Sequence, residues 1–206
     1  MDDPASRSYW DARYEGASYR FGETPNAFLE REAARLARGA RILAIADGEG
    51  RNGVWLARQG HDVLSTDISP VAVAKAQDLA SRHGAAIDAR VADLADWDWP
   101  VAEMDAVVAV FIQFAGPPLR DRIFAGIKAA LRPGGLLLMQ GYRPEQLGHG
   151  TGGPRDPSAF YTDALLRDAF ADFEILELSA HDAELDEGSA HAGPSAVIDL
   201  VARKPS

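Results

Sequence analysis

Apolar positions along the first 140 residues form short runs that alternate with longer segments of helical periodicity. Short continuous apolar runs are typical of strands that are buried on both faces. We predict strands at residues 41–46, 61–66, 85–91, 104–111 and 136–140. We predict helices at residues 24–39, 54–60, 69–84 and 118–131, where Pro or Ser stands at the start of several segments and Gly at the end of others. Strands that alternate with helices in this way predict a mostly parallel sheet.

The last third of the chain has a different pattern. Residues 141–158 are rich in Gly and Pro and predict a long loop, and residues 162–170 predict a short helix. Two further strands, at 173–179 and 196–202, flank an acidic segment and predict an antiparallel pair at the sheet edge.

Together these elements predict one α/β domain, a Rossmann-like doubly wound sheet of about seven strands with an antiparallel C-terminal hairpin. We divide it into an N-terminal lid and cover helix (1–38), a cofactor-binding core (39–141) and a substrate-side loop with the hairpin (142–206).

A glycine turn and a carboxylate stand where such a sheet binds ligands, beyond the carboxyl ends of its strands. The turn Gly48-Glu49-Gly50 follows the first predicted strand, and Asp67 closes the second, 19 positions after Gly48. Nucleotide-binding folds place an acid for the ribose hydroxyls about 20 positions after the turn. A plain βα turn with a solvated acid is the simpler alternative. The order of strand, turn, helix and acid favours a site for an adenosine-type cofactor.

Two features of the turn favour different cofactors. Gly53 completes the pattern G-x-G-x-x-G, which is typical of dinucleotide sites. Glu49, however, places a negative charge where a pyrophosphate would bind. A cationic ligand suits that charge better, and the sulfonium and ammonium groups of S-adenosylmethionine meet this requirement.

Composition limits the partners. The chain has 31 acidic residues against 21 Lys and Arg, a net charge of −10, which disfavours nucleic acid and anionic membranes. It has no Cys, so disulfides, a thiol nucleophile and thiolate metal sites are excluded.

We predict no metal site, because the acids at 93, 96 and 98 are poorly spaced for one. The sequence shows neither a signal peptide nor a long apolar run, so we expect a cytoplasmic protein, monomeric or homodimeric, with a small-molecule substrate.

The segments that carry these features are Gly48-Glu-Gly-Arg-Asn52, Asp67-Ile-Ser-Pro70, Ala92-Asp-Leu94, Asp105-Ala-Val-Val-Ala-Val110 and Leu131-Arg-Pro-Gly-Gly-Leu136. With them the chain resembles the class I S-adenosylmethionine-dependent methyltransferases, in particular the small tellurite-resistance and thiol or thiopurine methyltransferases. The resemblance implies that the cofactor is S-adenosylmethionine, with Asp67 on the ribose and Asp93 on the adenine amino group. The other cofactor residues that it implies are Ala46, Asp47, Gly48, Glu49, Gly50, Asn52, Ile68, Leu94, Val110 and Phe111. The chain departs from the family pattern at Ala44 and Ala46, where an acid and a third glycine are common.

Aromatic residues are concentrated in the N-terminal segment, which includes Trp10, Tyr14 and Phe21. An amphipathic helix that covers the sheet is one interpretation. A lid over the cofactor is the other, with Trp10 against the cofactor and Arg13 on its carboxylate, as the resemblance implies.

The candidates for chemistry are His191, His149 and Tyr142, with Arg155 and Tyr161 as weaker ones. Tyr142 follows the fifth strand, where substrate contacts are expected, and the resemblance places the segment of His191 on the substrate side. The predicted activity is methyl transfer to a small molecule, with a thiol, a selenol or another soft nucleophile as the acceptor. Two alternatives stay open: an NAD(P)-dependent oxidoreductase, although no Tyr-x-x-x-Lys occurs, and a cofactor-binding regulator without catalysis.

Overall fold

A seven-stranded sheet forms the centre of the structure, a computed structural model that describes residues 5–154, 156–188 and 191–206. The strands are β1 (Arg41–Ala44), β2 (Asp62–Asp67), β3 (Asp88–Val91), β4 (Met104–Val110), β5 (Leu131–Tyr142), β6 (Glu174–Asp186) and β7 (Ala192–Arg203). Their order is β3-β2-β1-β4-β5-β7-β6. The first five strands are parallel, and β7 runs antiparallel to both β5 and β6. The predicted fold class is therefore confirmed.

Six α-helices accompany the sheet in the described residues. They are α1 (Arg7–Tyr14), α2 (Ala27–Glu32), α3 (Arg51–Arg58), α4 (Pro70–Arg82), α5 (Pro117–Ala130) and α6 (Asp163–Ala169). Ser69 caps α4 by accepting a hydrogen bond from the Ala72 N–H, and Thr162 caps α6 in the same way. The predicted start of α2 at Thr24-Pro25 is wrong. Asn26 is the cap there, since its side chain accepts from the Leu29 N–H.

Alternate residues of the central strands point to opposite faces of the sheet. Leu43 and Val107 belong to an apolar cluster with α5 and α6, whereas Ile42 and Val108 belong to a second cluster with α2 and α3. Both faces are covered, which explains why the central strands have continuous apolar runs. In the described residues, none of the helices is long and apolar enough to cross a membrane.

The C-terminal hairpin is longer than the sequence predicts. β6 has 13 residues and β7 has 12, paired from Glu174 opposite Arg203 to Asp186 opposite Ala192. The acidic segment after residue 179 continues β6, because β6 is an edge strand whose acids alternate with Ala183 and Leu185. The extended pairing brings His191, which directly precedes β7, to a cavity at the carboxyl ends of the parallel strands.

The predicted loop at 141–158 contains short 3₁₀ helices at Pro144–Gly148 and Pro157–Ala159. Gln146 is buried within it and accepts a hydrogen bond from the Ala196 N–H at 2.8 Å. The segment is thus attached to β7.

Candidate active site

A cavity that is partly open to solvent lies at the carboxyl ends of β1, β2 and β4, beneath the N-terminal segment. Ligand sites of doubly wound sheets are expected at this edge. The predicted site residues that line it are Trp10, Ala46, Asp47, Gly48, Glu49, Asn52, Asp67, Ile68, Asp93, Leu94, Val110, Phe111 and His191. Tyr14, Phe21, Arg51, Phe114 and Leu119 are among the further lining residues.

Asp67 holds the glycine turn. Its Oδ2 accepts a hydrogen bond from the Gly48 N–H at 2.9 Å, and its Oδ1 accepts one from the Ser69 N–H at 2.9 Å. Gly48 has a φ of 60°, which glycine adopts without strain. Burial raises the pKa of Asp67 to about 6. Each carboxylate oxygen has a second lone pair, so the side chain can also accept from ligand hydroxyls.

Asp47 occupies the other side of the turn. Its Oδ2 accepts from the Gly53 N–H at 3.1 Å and from the Ser65 hydroxyl at 2.9 Å, and burial raises its pKa to about 7. A Cβ on Gly53 would lie 2.5 Å from that Oδ2. The contact with Asp47 therefore explains why residue 53, the third glycine of the dinucleotide pattern, is a glycine.

The turn offers little to a pyrophosphate. The N–H groups of Gly48 and Gly53 donate to carboxylates, and that of Gly50 donates to the Asp47 carbonyl. A pyrophosphate needs such N–H groups free at a helix N-terminus. The geometry disfavours the dinucleotide alternative.

Gly50 is not among the residues that line the cavity. It has a φ of 86°, and a Cβ there would lie 2.6 Å from the Cβ of Ala76 in α4. The close packing of the turn against α4 thus requires this glycine.

The strand ends opposite the turn provide apolar walls and a second acid. Ile68, Leu94 and Val110 line the cavity, and Asp93 lies among them, with its Oδ1 accepting from the Ala95 N–H at 2.9 Å. Phe111 follows β4 with a φ of 54°, which is uncommon for a large residue and is often found at functional sites.

Glu49 attaches the N-terminal segment to the turn. Its Oε2 accepts from the Arg20 N–H at 2.6 Å, and its Oε1 lies 2.5 Å from the Lys75 Nζ. The Lys75 Nζ also donates to the carbonyls of Tyr14 and Ser18. Glu49 therefore does not carry the free negative charge that the sequence argument assigned to it.

The N-terminal segment covers the cavity. Trp10, Tyr14 and Phe21 line it, and the Trp10 and Tyr14 rings stack with centroids 5.6 Å apart. Arg13 does not line the cavity; its guanidinium lies 3.5 Å from the centroid of the Tyr9 ring. The structure thus gives Arg13 a contact within α1 and offers no support for its predicted role on the cofactor carboxylate.

His191 lines the cavity next to Phe111. Its ring centroid lies 4.5 Å from that of Phe111, 4.6 Å from that of Phe21 and 5.7 Å from that of Tyr142. Burial, together with the nearby charges of Arg51 and Arg20, lowers the pKa of His191 to about 3, so its imidazole is neutral at physiological pH.

The other candidates for chemistry lie elsewhere. His149 is exposed at the end of a 3₁₀ helix and does not line the cavity. Tyr161 is buried in the core against Phe124. Arg155 lies outside the described residues.

Sequence reasoning missed a buried polar network behind the cavity. The Arg51 Nη2 lies 2.6 Å from Glu187 Oε2, and Asn26 Nδ2 donates to Glu187 Oε1 at 2.8 Å. Asn26 also donates to Gln140, which in turn donates to Asp199. These partners come from distant parts of the chain, so no local spacing could have indicated them.

Comparison with known proteins agrees with this geometry. Residues 42–135 match the family described as "Methyltransferase domain". This stretch, a little under half of the chain, contains the glycine turn, Asp67 and Asp93, and the match confirms the predicted resemblance to the methyltransferases.

Hemagglutinin 1 from Eikenella corrodens is 32% identical over 126 residues, which are 58% of this chain and 40% of that protein. The chain thus spans less than half the length of this relative.

Three solved structures share the fold of the methyltransferase domain. One, solved in work on the conversion of a disulfide bond into a thioacetal group during echinomycin biosynthesis, has a TM-score of 0.78, 21% identity and coverage of 97% of this chain and 91% of that one. TehB from Haemophilus influenzae has a TM-score of 0.70 and 19% identity, over 96% and 66% of the two chains. The N-methyltransferase NodS from Bradyrhizobium japonicum WM9, with bound S-adenosylhomocysteine, has a TM-score of 0.72 and 13% identity over 100% of both.

The methyltransferase match agrees with S-adenosylmethionine, the cofactor that the sequence predicts. The residues that line the cavity fit S-adenosylmethionine. Asp67 has acceptor capacity for ribose hydroxyls, Ile68 and Leu94 provide apolar walls for adenine, and Asp93 lies beside them. Two polar atoms of lining residues, Arg51 Nη1 and His191 Nδ1, are buried without a hydrogen-bond partner among the described residues.

Proposed function

We propose that this protein transfers a methyl group from S-adenosylmethionine to a small-molecule acceptor. A single arrangement carries the proposal: one cavity joins Asp67 and the glycine turn to an end lined by Phe21, Phe111 and His191. When bound, S-adenosylmethionine supplies the methyl group as an electrophilic sulfonium.

The residues of the chain contribute alignment and the exclusion of water. Asp67 holds the ribose end, and Phe21, Phe111 and His191 line the end where we place the acceptor. The N-terminal segment covers both and is attached through Glu49. Methyl transfer is an in-line displacement, so holding the two reactants at the correct distance and angle provides much of the rate enhancement.

We further propose that the acceptor is a thiol, a selenol or another soft nucleophile. An oxygen or nitrogen acceptor usually needs a base with a pKa near the working pH. The pKa of His191 is lowered to about 3, so its imidazole is a weak base at neutral pH. The Tyr142 phenol has a raised pKa, because it is buried and lies near Glu187, and therefore stays protonated. A thiolate or selenolate needs neither group as a base.

Calorimetric titration with S-adenosylmethionine, S-adenosylhomocysteine and NAD tests the cofactor. We expect the first two to bind, and we expect Asp67→Asn to remove this binding. Asp62→Asn is the matched control, because Asp62 begins the same strand with a side chain that is 73% exposed. Binding of NAD alone would refute the proposal.

A second assay follows methyl transfer from labelled S-adenosylmethionine to 2-mercaptoethanol, a catechol and a primary amine. Methylation of the thiol supports the full proposal. Methylation of the catechol or the amine alone would refute the proposal of a soft acceptor. It would still support methyltransferase activity. Binding of S-adenosylmethionine without transfer to any of a wide range of acceptors would favour a regulator.

A further inference from the structure

Three polar atoms at or next to the end of the cavity lined by His191 lack a hydrogen-bond partner among the described residues. They are Arg51 Nη1, Tyr142 Oη and His191 Nδ1, and each is buried without a partner among the described residues. Arg51 and His191 line the cavity, and the Tyr142 ring lies edge-on to that of His191. The Arg51 side chain is only 7% exposed and Tyr142 only 2%. Buried polar groups without a partner are rare in native proteins, and a cluster of them beside a cavity indicates a missing ligand group.

The network behind Arg51 fixes the orientation of its guanidinium. Glu187 Oε2 lies 2.6 Å from Arg51 Nη2, and Asn26 Nδ2 donates a hydrogen bond to Glu187 Oε1. Asn26 is held in turn by Asn52, whose Oδ1 accepts from the Asn26 N–H at 2.9 Å. The Nη2 of Arg51 is therefore paired with Glu187, and the Nη1 remains available to a ligand.

The chemistry of these atoms selects the ligand group. Arg51 Nη1 is a charged donor, and the Tyr142 phenol is a neutral donor because its pKa is raised. Two buried donors without a partner among the described residues, one of them cationic, match an oxyanion. His191 Nδ1 lies at the edge of the same group as a donor or an acceptor, depending on the tautomer.

We propose that Arg51 and Tyr142, with His191 beside them, form a receptor for a carboxylate at the end of the cavity that His191 lines. The proposal rests on the proposed function for the identity of the ligands. Two ligands offer this chemistry: the amino-acid end of the cofactor and an acceptor substrate that carries a carboxylate. If the cofactor supplies the carboxylate, the receptor takes the role that the resemblance implied for Arg13.

The first experiment compares S-adenosylhomocysteine with 5′-methylthioadenosine, which lacks the amino-acid carboxylate, by calorimetry. Tyr142→Phe removes one donor that has no partner in the described protein, so it should leave the unfolding temperature unchanged or slightly raised. Arg51→Gln with Glu187→Gln removes both charges of the buried pair together, which avoids leaving one of them uncompensated. If the cofactor supplies the carboxylate, each variant should weaken S-adenosylhomocysteine binding about tenfold or more and leave methylthioadenosine unaffected.

The second experiment compares mercaptoacetate with 2-mercaptoethanol by ligand-observed NMR, on the protein with and without S-adenosylhomocysteine. If the acceptor supplies the carboxylate, the wild type should prefer mercaptoacetate, and both variants should lose this preference. Equal effects of the variants on acidic and neutral ligands in both experiments, or no effect at all, would overturn the receptor.

A wild type that binds neither adenosine compound would refute the proposed function instead, and the mercaptoacetate comparison would then decide the receptor alone. Asp67→Asn is the control in the first experiment, because it should weaken both adenosine compounds alike.

Discussion

Replacing Asp47 with Asn should stabilise the protein at neutral pH. The Asp47 carboxylate is buried without an ion-pair partner among the described residues, and its pKa is raised from 3.8 to about 7. A difference of about three pKa units at 1.36 kcal/mol each corresponds to roughly 4 kcal/mol against the charged form. The amide of Asn keeps one oxygen, and one oxygen is enough because Oδ2 accepts from both Gly53 and Ser65. Relaxation of the site reduces such penalties, so we expect a gain of about 1–3 kcal/mol.

The gain should depend on pH in a defined direction. Between about pH 4 and 7 the folded state holds a proton on Asp47 that the unfolded state has released. The free energy of unfolding of the wild type therefore falls as the pH rises through this window. The difference between Asp47→Asn and the wild type should be small near pH 4, grow up to about pH 7 and then level off.

Urea denaturation across this pH range measures the effect, with Asp98→Asn as an exposed control that should be neutral. A variant that is no more stable than the wild type at pH 8 would contradict the penalty on Asp47. A gain of equal size at pH 4 and pH 8 would show that the cause is not titration.

Three further predictions concern the turn, the lid and a helix contact. Ala46 has a φ of 46°, which glycine adopts with less strain, so Ala46→Gly should be neutral or stabilising by up to about 1 kcal/mol in thermal unfolding. Ala44 lies in β1, so Ala44→Gly, the control, should destabilise the protein by about 1 kcal/mol. Glu49→Gln removes the charge that pairs with Lys75 and should speed hydrogen exchange at the amides of residues 20 and 21 several-fold; unchanged exchange would contradict its attachment role. Gly126→Ala should destabilise by about 1–3 kcal/mol in spite of its helix propensity, because the new Cβ would lie 2.2 Å from the Trp99 ring.

Local signals were enough for the cofactor end of the site. Asp67 ends β2 and Gly48 lies in the turn that follows β1, and a parallel sheet brings the carboxyl ends of its strands together. Their direct hydrogen bond at 2.9 Å follows from this order of elements. The roles of Gly50 and Gly53 could not be predicted in the same way, since α4 and Asp47 require them rather than a ligand.

The substrate end depended on contacts that no local pattern contains. His191 and His149 both lie in glycine-containing segments, yet only His191 lines the cavity. The reason is the length of the hairpin, which brings His191 against Phe111, the residue directly after β4. Arg51 gave no signal of its own, because its importance comes from Glu187, which is 136 positions away.

The sequence by itself determined the α/β class, the order of the strands that alternate with helices, and the position of the glycine turn and its acid. These features rest on hydrophobic periodicity and on the backbone freedom of glycine, both of which act within a few residues. Only the tertiary structure decided which polar groups are paired, which titrate abnormally and which are left for a ligand. Those properties depend on burial and on partners from distant segments, and burial exists only once the chain has folded.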